Sequence, residues 1–136
     1  MSYKGQCACG AIKLEITDDA LGVAQCWCRQ CQRSAAGGPT QNAIFFTDKV
    51  AISGALGSYD YVAASGNTGT QAFCAACGTP ISGRNSVLPQ FLAIRLGVID
   101  PPHDLAPQQV IWTAEAPAWA VLDTALPHFA TQPGMK

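Results

Sequence analysis

Seven cysteines constrain this chain strongly, because they fall in three short clusters. These clusters are Cys7 with Cys9, Cys26 with Cys28 and Cys31, and Cys74 with Cys77. Spacings of one or two residues place thiolates close enough together on one loop to bind a single metal ion. Four such ligands complete a tetrahedral zinc site, whereas three leave one position open for water or a substrate. The count of seven therefore predicts one structural metal site and one reactive metal site.

Length and composition predict one zinc-binding domain over residues 1–136. Hydrophobic residues make up 49% of the chain and charged residues 12%, which favours a packed globule over disorder. The net charge is −1, and the few Lys and Arg residues are scattered, so we expect no nucleic-acid or membrane partner. Without an apolar signal segment, a reducing cytoplasmic location is predicted, where clustered cysteines bind metals more often than they form disulfides. The sequence does not predict the oligomeric state.

Short runs of alternating or apolar residues predict an all-β fold. Residues 11–17 alternate between apolar and polar side chains, as a half-buried strand does. Further strands are predicted at residues 23–25, 43–46, 50–52, 58–62, 91–96 and 110–112. Helical turns are expected only at residues 28–34 and 116–124, and residues 64–70 read as a polar loop. Such short strands, separated by turns, are typical of an all-β domain.

The first and third cysteine clusters look like matched halves of one structural site. Gly10 and Gly78 each follow the last cysteine of their cluster, where glycine allows a turn with positive φ. We therefore assign one closed zinc site to four ligands: Cys7, Cys9, Cys74 and Cys77. A competing partition pairs Cys28 and Cys31 with the third cluster as a zinc ribbon, and it leaves Cys7, Cys9 and Cys26 without a site.

The middle cluster offers three sulfurs and has no remaining cysteine to complete a tetrahedral shell. Three protein ligands and one exchangeable position are the usual arrangement of catalytic zinc. Such a zinc can bind a thiolate and keep it deprotonated at neutral pH. Cys26, Cys28 and Cys31 are therefore the candidate catalytic ligands.

The order of these motifs resembles the glutathione-dependent formaldehyde-activating enzyme family. The resemblance extends over roughly residues 3 to 133. It is carried by Gly5-x-Cys7-x-Cys9-Gly10, Cys26-x-Cys28-x-x-Cys31-Gln32-Arg33, Ser65-Gly66, Phe73-Cys74-x-x-Cys77-Gly78-Thr79, Gly97-Val98-Ile99-Asp100, Trp119 and Leu126-Pro127-x-Phe129.

This resemblance implies a β-tent fold, in which small twisted antiparallel sheets are organised around zinc sites with very little helix. It also implies a carbon–sulfur lyase that handles the adduct of glutathione and formaldehyde. The cofactors expected are two zinc ions, one structural and one catalytic, and glutathione is the expected co-substrate. Two positions depart from the family pattern: Trp27 stands where His is common, and Gln71 stands where Arg is common.

Few other residues are candidates for chemistry. Arg33 follows the middle cluster and is the candidate for binding a carboxylate of glutathione with its planar guanidinium, whereas Arg29 is interpreted as solvated. His103 and His128 lack metal-ligand spacing and are interpreted as surface or packing residues. Trp112 and Trp119 are expected to cover the core, with the wall of a pocket as an alternative for Trp119.

Two functional hypotheses follow. The first is a zinc-dependent carbon–sulfur lyase-like enzyme, acting on an adduct of an aldehyde with glutathione or another small thiol. The second is a non-catalytic, zinc-stabilised thiol carrier or interaction module, which the replacement of His by Trp27 favours because indole is neither an acid nor a base.

Overall fold

The computed structural model describes residues 1–133 and is built almost entirely of β-strands. A single six-residue α-helix occurs in this part of the chain, which confirms the all-β prediction. Three single 3₁₀ turns are also present, at Thr47–Lys49, Leu96–Val98 and Thr113–Glu115. The elements in chain order are β1 (Tyr3–Gln6), β2 (Lys13–Ile16), β3 (Gly22–Cys26), α1 (Arg29–Ser34), β4 (Thr40–Phe46), β5 (Val50–Ser53), β6 (Leu56–Val62), β7 (Thr68–Cys74), β8 (Pro80–Asn85), β9 (Phe91–Arg95) and β10 (Gln109–Ile111).

The strands form two sheets. The smaller sheet has the order β1-β2-β5, and the larger has the order β10-β3-β4-β9-β8-β7-β6. Neighbouring strands are antiparallel except for β10, which runs parallel to β3. The chain beyond residue 112 returns along β10, where the Val110 amide donates to Pro127 and the Phe129 amide donates to Val110. This return covers one edge of the larger sheet.

The hydrophobic core contains the apolar face of the smaller sheet and one face of the larger sheet. Leu14 and Ile16 on β2 belong to the same cluster as Phe45 on β4 and Ile94 on β9. Tyr3 packs edge-on against Phe45, with ring centroids 5.9 Å apart. Because side chains alternate along a strand, every second residue of β3, β4 and β9 points to the opposite face of the larger sheet. That opposite face carries the candidate functional site.

Several elements differ from those predicted from sequence. Residues 3–6, 68–74 and 80–85 form strands that the apolar pattern did not predict, and β7 begins within the predicted loop at residues 64–70. The helical turn expected at residues 28–34 is present as α1. Residues 116–124 contain no helix, so that prediction was wrong. Within residues 1–133, no helix combines the length and apolar character needed to cross a membrane.

Candidate metal centres

The structure brings four cysteine sulfurs together in what we call the four-thiol site, made of Cys7, Cys9, Cys74 and Cys77. All four sulfurs lie within 4.8 Å of one another. The Cys7–Cys9 sulfur distance is 3.6 Å and the Cys9–Cys74 distance is 3.8 Å. A tetrahedral zinc with bonds of about 2.3 Å places its sulfur ligands about 3.8 Å apart, whereas a disulfide bond is about 2.05 Å long. All seven cysteines are free, and this donor set fits a zinc ion.

Two similar turns present these sulfurs. Cys7 follows β1, whereas Cys74 ends β7 and Cys77 lies in the turn before β8. Gly10 and Gly78 adopt φ values of +80° and +79°, as the sequence predicted for matched knuckles. Backbone amides point at the sulfurs: the Ile12 amide donates to Cys7 at 3.2 Å, and the Cys77 amide donates to Cys74 at 3.4 Å. Such donors stabilise thiolates and orient them as ligands.

The electrostatics of the four-thiol site favour a cation. The Thr79 hydroxyl, which lies 3.1 Å from the Cys77 sulfur, lowers the pKa of Cys77 to about 5. At Cys9 the Ala11 amide stabilises the thiolate, but the sulfurs of Cys7 and Cys77 outweigh it and raise the pKa to about 11. The four thiols therefore cannot all ionise at neutral pH on their own. A divalent ion removes this conflict, because thiolates bound to it are deprotonated outright.

The second group, which we call the three-thiol site, consists of Cys26, Cys28 and Cys31, whose sulfurs also lie within 4.8 Å of one another. Cys26 is the last residue of β3, and Cys28 is the N-cap of α1. The Cys31 amide donates to the Cys28 sulfur at 3.3 Å, so the helix start holds two of the three ligands in place. Because these sulfurs form a group of their own, the alternative zinc-ribbon partition was wrong.

Ionisation within the three-thiol site is uneven. The neighbouring sulfurs of Cys28 and Cys31, together with burial, raise the pKa of Cys26 well above its usual range. Hydrogen bonds from Cys26 and Cys28 lower the pKa of Cys31 to about 3, and the Thr40 hydroxyl and the charge of Arg95 act in the same direction. One thiolate thus forms readily, whereas the next ones require a positive charge between the sulfurs. A metal ion bound by three cysteines would supply that charge and keep a fourth position open.

The three-thiol site forms part of the wall of a cavity of about 460 Å³, which we call the thiol cavity. This volume lies within the range of small-molecule binding sites, roughly 300–1,000 Å³. The cavity covers the face of the larger sheet that is turned away from the core. No sulfur of the four-thiol site lines it among residues 1–133. Side chains that contribute to its wall include Asn42, Tyr61, Gln71, Arg84, Arg95 and Glu115.

Four polar residues of this wall are connected by hydrogen bonds, and the sequence did not predict this network. Arg95 donates to the side-chain oxygens of Asn42 and Gln71, and Gln71 donates to the Tyr61 hydroxyl at 3.4 Å. Burial raises the pKa of Tyr61, so its phenol stays protonated at neutral pH. These side chains come from β4, β6, β7 and β9, which only the sheet topology brings together.

The arginines near the middle cluster have different positions. Arg29 is exposed, lines the thiol cavity and donates to Gln32, while its backbone amide donates to Glu115 at 2.6 Å. Arg33 is exposed, donates to Gln30 at 3.3 Å and does not line the cavity in the described part of the chain. The sequence-based assignment of Arg33 to glutathione binding stays a prediction, and the cavity wall offers other guanidinium groups, those of Arg29, Arg84 and Arg95.

In the described part of the chain, Trp27, Trp119 and the two histidines do not line the thiol cavity. Trp27 is only 3% exposed, packs edge-on against Trp119 and is absent from the described wall of the thiol cavity. Trp119 is 69% exposed, so the expectation that it covers the core was wrong. His103 accepts a hydrogen bond from the Leu105 amide, and His128 contacts the Asp123 carbonyl at 2.7 Å. Neither histidine belongs to a potential metal-binding group of residues 1–133.

Comparison with known proteins agrees with this geometry. Residues 2–115 match the family described as glutathione-dependent formaldehyde-activating enzyme. The chain belongs to this family. The match confirms the resemblance that the cysteine motifs indicated, and the two sulfur groups of this family member could each hold a zinc ion.

Structural comparison adds evidence on the fold of this family member. A crystal structure of a Rhodobacter sphaeroides protein aligns with a TM-score of 0.59 and 19% sequence identity, over 74% of this chain and 90% of that chain. At this identity the similarity shows a shared fold alone. A search of curated proteins gave no match.

Proposed function

We propose that the protein is a zinc-dependent enzyme of the carbon–sulfur lyase type, acting on the adduct of an aldehyde with glutathione or another small thiol. One observation carries the proposal: three of the seven cysteines form a group at the wall of a cavity, whereas the other four form a closed group that does not line this cavity. The matched family is named for the activation of formaldehyde with glutathione, which supports this substrate class.

The proposed roles of the two sites follow from their ligand counts. Cys7, Cys9, Cys74 and Cys77 would hold a structural zinc, and Cys26, Cys28 and Cys31 would hold a catalytic one. Zinc at the three-thiol site would supply a coordination position for a thiol and lower its pKa from about 8.5, making thiolate plentiful at neutral pH. Because seven free thiols persist best in a reducing compartment, the proposal includes a cytoplasmic location.

The reaction we propose is the reversible addition of a thiol to an aldehyde. In the forward direction, the sulfur electron pair forms a bond to the aldehyde carbon, and the carbon–oxygen π pair moves to the oxygen, which takes up a proton. The reverse direction breaks the carbon–sulfur bond and returns the proton. Tyr61 is the cavity residue suited to donate to this oxygen, since burial keeps its phenol protonated and its hydroxyl hydrogen is free while it accepts from Gln71.

The test combines metal content with turnover. Wild-type protein purified under reducing conditions is expected to hold two zinc ions per chain and to accelerate both formation and cleavage of S-hydroxymethylglutathione. Cys28→Ser is expected to retain one zinc and a cooperative thermal transition, while conversion falls by about 10²-fold or more because one ligand of the open site is lost. Conversion would be followed by the appearance of free formaldehyde and by NMR of the adduct.

Two results of this experiment would contradict the lyase proposal. If the wild type holds two zinc ions but converts no aldehyde–thiol adduct, the lyase proposal is wrong. If it binds the thiol without converting it, the carrier hypothesis takes its place. The argument from Trp27 for a carrier has less weight in the structure than in the sequence, because the indole packs on Trp119 instead of lining the cavity.

A further inference from the structure

Arg95 is a buried cation whose hydrogen-bond partners are neutral. It is 8% exposed, ends β9 and lines the thiol cavity. Its Nη1 donates to the Asn42 oxygen and its Nη2 donates to the Gln71 oxygen. These bonds use two of the five N–H donors of a guanidinium. The Nε atom is buried and has no hydrogen-bond partner within residues 1–133.

No carboxylate neutralises this charge in the described part of the chain. The one ion pair there joins the N-terminal ammonium to Asp19. Glu115, the acidic residue in the cavity wall, accepts instead from the Arg29 amide. Burial of a charge without a counter-ion is costly, and such charges are normally paired. The sulfurs of the three-thiol site offset part of this charge, but no carboxylate of residues 1–133 pairs with Arg95 and its Nε has no acceptor, so the remaining donors point to a partner that the chain itself does not provide.

The strand beside Arg95 leaves room for such a partner. Gly83 on β8 lines the cavity, and a Cβ added there would lie 3.1 Å from the Arg95 Nη2 atom. A side chain at residue 83 would thus press against the guanidinium, whereas glycine keeps it open. Two exposed arginines, Arg29 and Arg84, also line the cavity, whereas Glu115 is the one acidic residue of its wall within residues 1–133. The cavity wall therefore carries an excess of positive charge that attracts anions.

We propose that Arg95 binds a carboxylate of the thiol substrate, so that the cavity selects small thiols that carry a carboxylate over neutral ones. Asn42 and Gln71 are positioning residues, since they fix the plane of the guanidinium and leave its remaining donors for the ligand. A planar guanidinium binds a carboxylate through two parallel hydrogen bonds, which gives orientation as well as affinity. This inference rests on the proposed function, because it assumes that the substrate sulfur is held at the three-thiol site.

The experiment compares two thiols of matched length, 3-mercaptopropionate and 3-mercaptopropan-1-ol, by calorimetric titration of the zinc-loaded full chain. The wild type is expected to bind the acid about tenfold or more tightly than the alcohol, as charged hydrogen bonds in a buried site imply. Arg95→Gln is expected to reduce the affinity for the acid to that for the alcohol, while affinity for the alcohol changes less than about twofold. Arg95→Lys keeps the charge but loses the planar fork, and it should retain an intermediate preference.

Arg33→Gln is the matched control, since it makes the same change at an exposed arginine outside the described cavity wall. It is expected to leave the preference for the acid unchanged. Zinc content and thermal unfolding are measured for every variant. If Arg95→Gln does not fold, the wild type and Arg95→Lys still test the inference, because equal preference in these two proteins would contradict a fork-shaped site.

Three outcomes would overturn the inference. Equal wild-type affinity for the two thiols would reject carboxylate selection while leaving the proposed function intact. If Arg95→Gln lost affinity for both thiols equally and also lost zinc, the role of Arg95 would be to balance the charge of the three thiolates. Failure of the wild type to bind either thiol would reject the proposed function and this inference together.

Discussion

Gly5 occupies a point where two backbone segments meet without space for a side chain. A Cβ at this residue would lie 2.0 Å from the Val98 carbonyl oxygen. Gly5 forms a bridge with Ile99, and the Asp100 amide donates to Lys4 at 2.8 Å. This close approach gives a physical reason for glycine two residues before the first cysteine.

Gly5→Ala is therefore expected to destabilise the fold by about 3 kcal/mol, since backbone must move to accept the methyl group. The measurement is the urea concentration at the midpoint of unfolding, compared between variants whose unfolding free energy depends on urea with the same slope. Gly97→Ala is the control, because a Cβ at that residue meets nothing within 4 Å. The control should stay within about 0.5 kcal/mol of wild type. Equal midpoints for the two variants would contradict the steric argument.

The Tyr61 hydroxyl is a second single group whose removal has a predictable effect. Tyr61→Phe is expected to lower conversion of the adduct by about 10²-fold, the usual size of a general-acid contribution, with little change in thiol affinity. Because the pKa of Tyr61 is raised above its ordinary value of 10, the rate should not fall through loss of this proton below pH 10. Tyr59→Phe is the control: Tyr59 is 42% exposed and absent from the described cavity wall. Similar rates for the two variants would reject the role of Tyr61.

Single residues were predictable where local spacing determines their role. The two sulfur groups followed from spacing and from the glycines after each knuckle, because a metal site needs ligands on short loops. Arg95 was not predictable in the same way, since 64 residues separate it from Cys31 and strand pairing alone brings it to the cavity. Proximity in sequence pointed to Arg33, but this residue lies in the last turn of α1, where its side chain is exposed.

At the level of elements, α1 is held by side-chain contacts, because six residues are too few for a stable helix on their own. The Cys28 sulfur caps its first turn by accepting from the Cys31 amide. Gln32 is 4% exposed and donates to the carbonyls of Trp27 and Glu115, at 2.6 and 2.9 Å. Through these hydrogen bonds, Gln32 connects α1 to the 3₁₀ turn at Thr113–Glu115, beside the cavity.

Gln32→Leu is expected to destabilise the protein by about 2 kcal/mol, since two carbonyls lose their buried donor. It should also weaken zinc binding at the three-thiol site more than at the four-thiol site, because α1 carries two of the three ligands. Urea unfolding and zinc competition with a chromogenic chelator measure the two effects. Gln30→Leu is the control, because its side chain makes two long surface bonds: it donates to Tyr59 at 3.4 Å and accepts from Arg33 at 3.3 Å. If Gln32→Leu were as stable as this control, the hydrogen bonds of Gln32 would not be what holds α1 in place.

Two of the three strands missed by sequence reasoning, β7 and β8, contribute to the wall of the cavity. β7 and β8 alternate polar or glycine residues with a few apolar ones, for example Gln71 and Gly83, because one face of each strand lines the cavity. Such strands lack the apolar run that marks a buried strand. The opposite error at residues 116–124 arose because apolar spacing suggested a helix, whereas the chain there is irregular between Pro117 and Pro127.

At the scale of the whole molecule, the four-thiol site joins the two sheets. Cys7 and Cys9 lie between β1 and β2 of the smaller sheet, whereas Cys74 ends β7 of the larger sheet and Cys77 lies in the turn before β8. The contact of Cys9 with Cys74 spans 65 residues of sequence. The sequence predicted this pairing of clusters, but not the strand order, because long-range strand pairing leaves no local pattern.

Zinc at the four-thiol site is expected to hold the two sheets together. Forming a zinc site contributes roughly 10–16 kcal/mol in small zinc modules, which is as large as the whole stability of a typical domain, about 5–15 kcal/mol. Cys9→Ser should therefore lose the cooperative thermal transition, and a strong chelator should unfold the wild type. Cys28→Ser removes one ligand from the other site and should melt near the wild-type temperature. Circular dichroism during heating, with zinc content measured on the same samples, separates the two variants. If Cys9→Ser melted within a few degrees of wild type, the sheets would be held together by the apolar core alone, and the four-thiol site would not be structural.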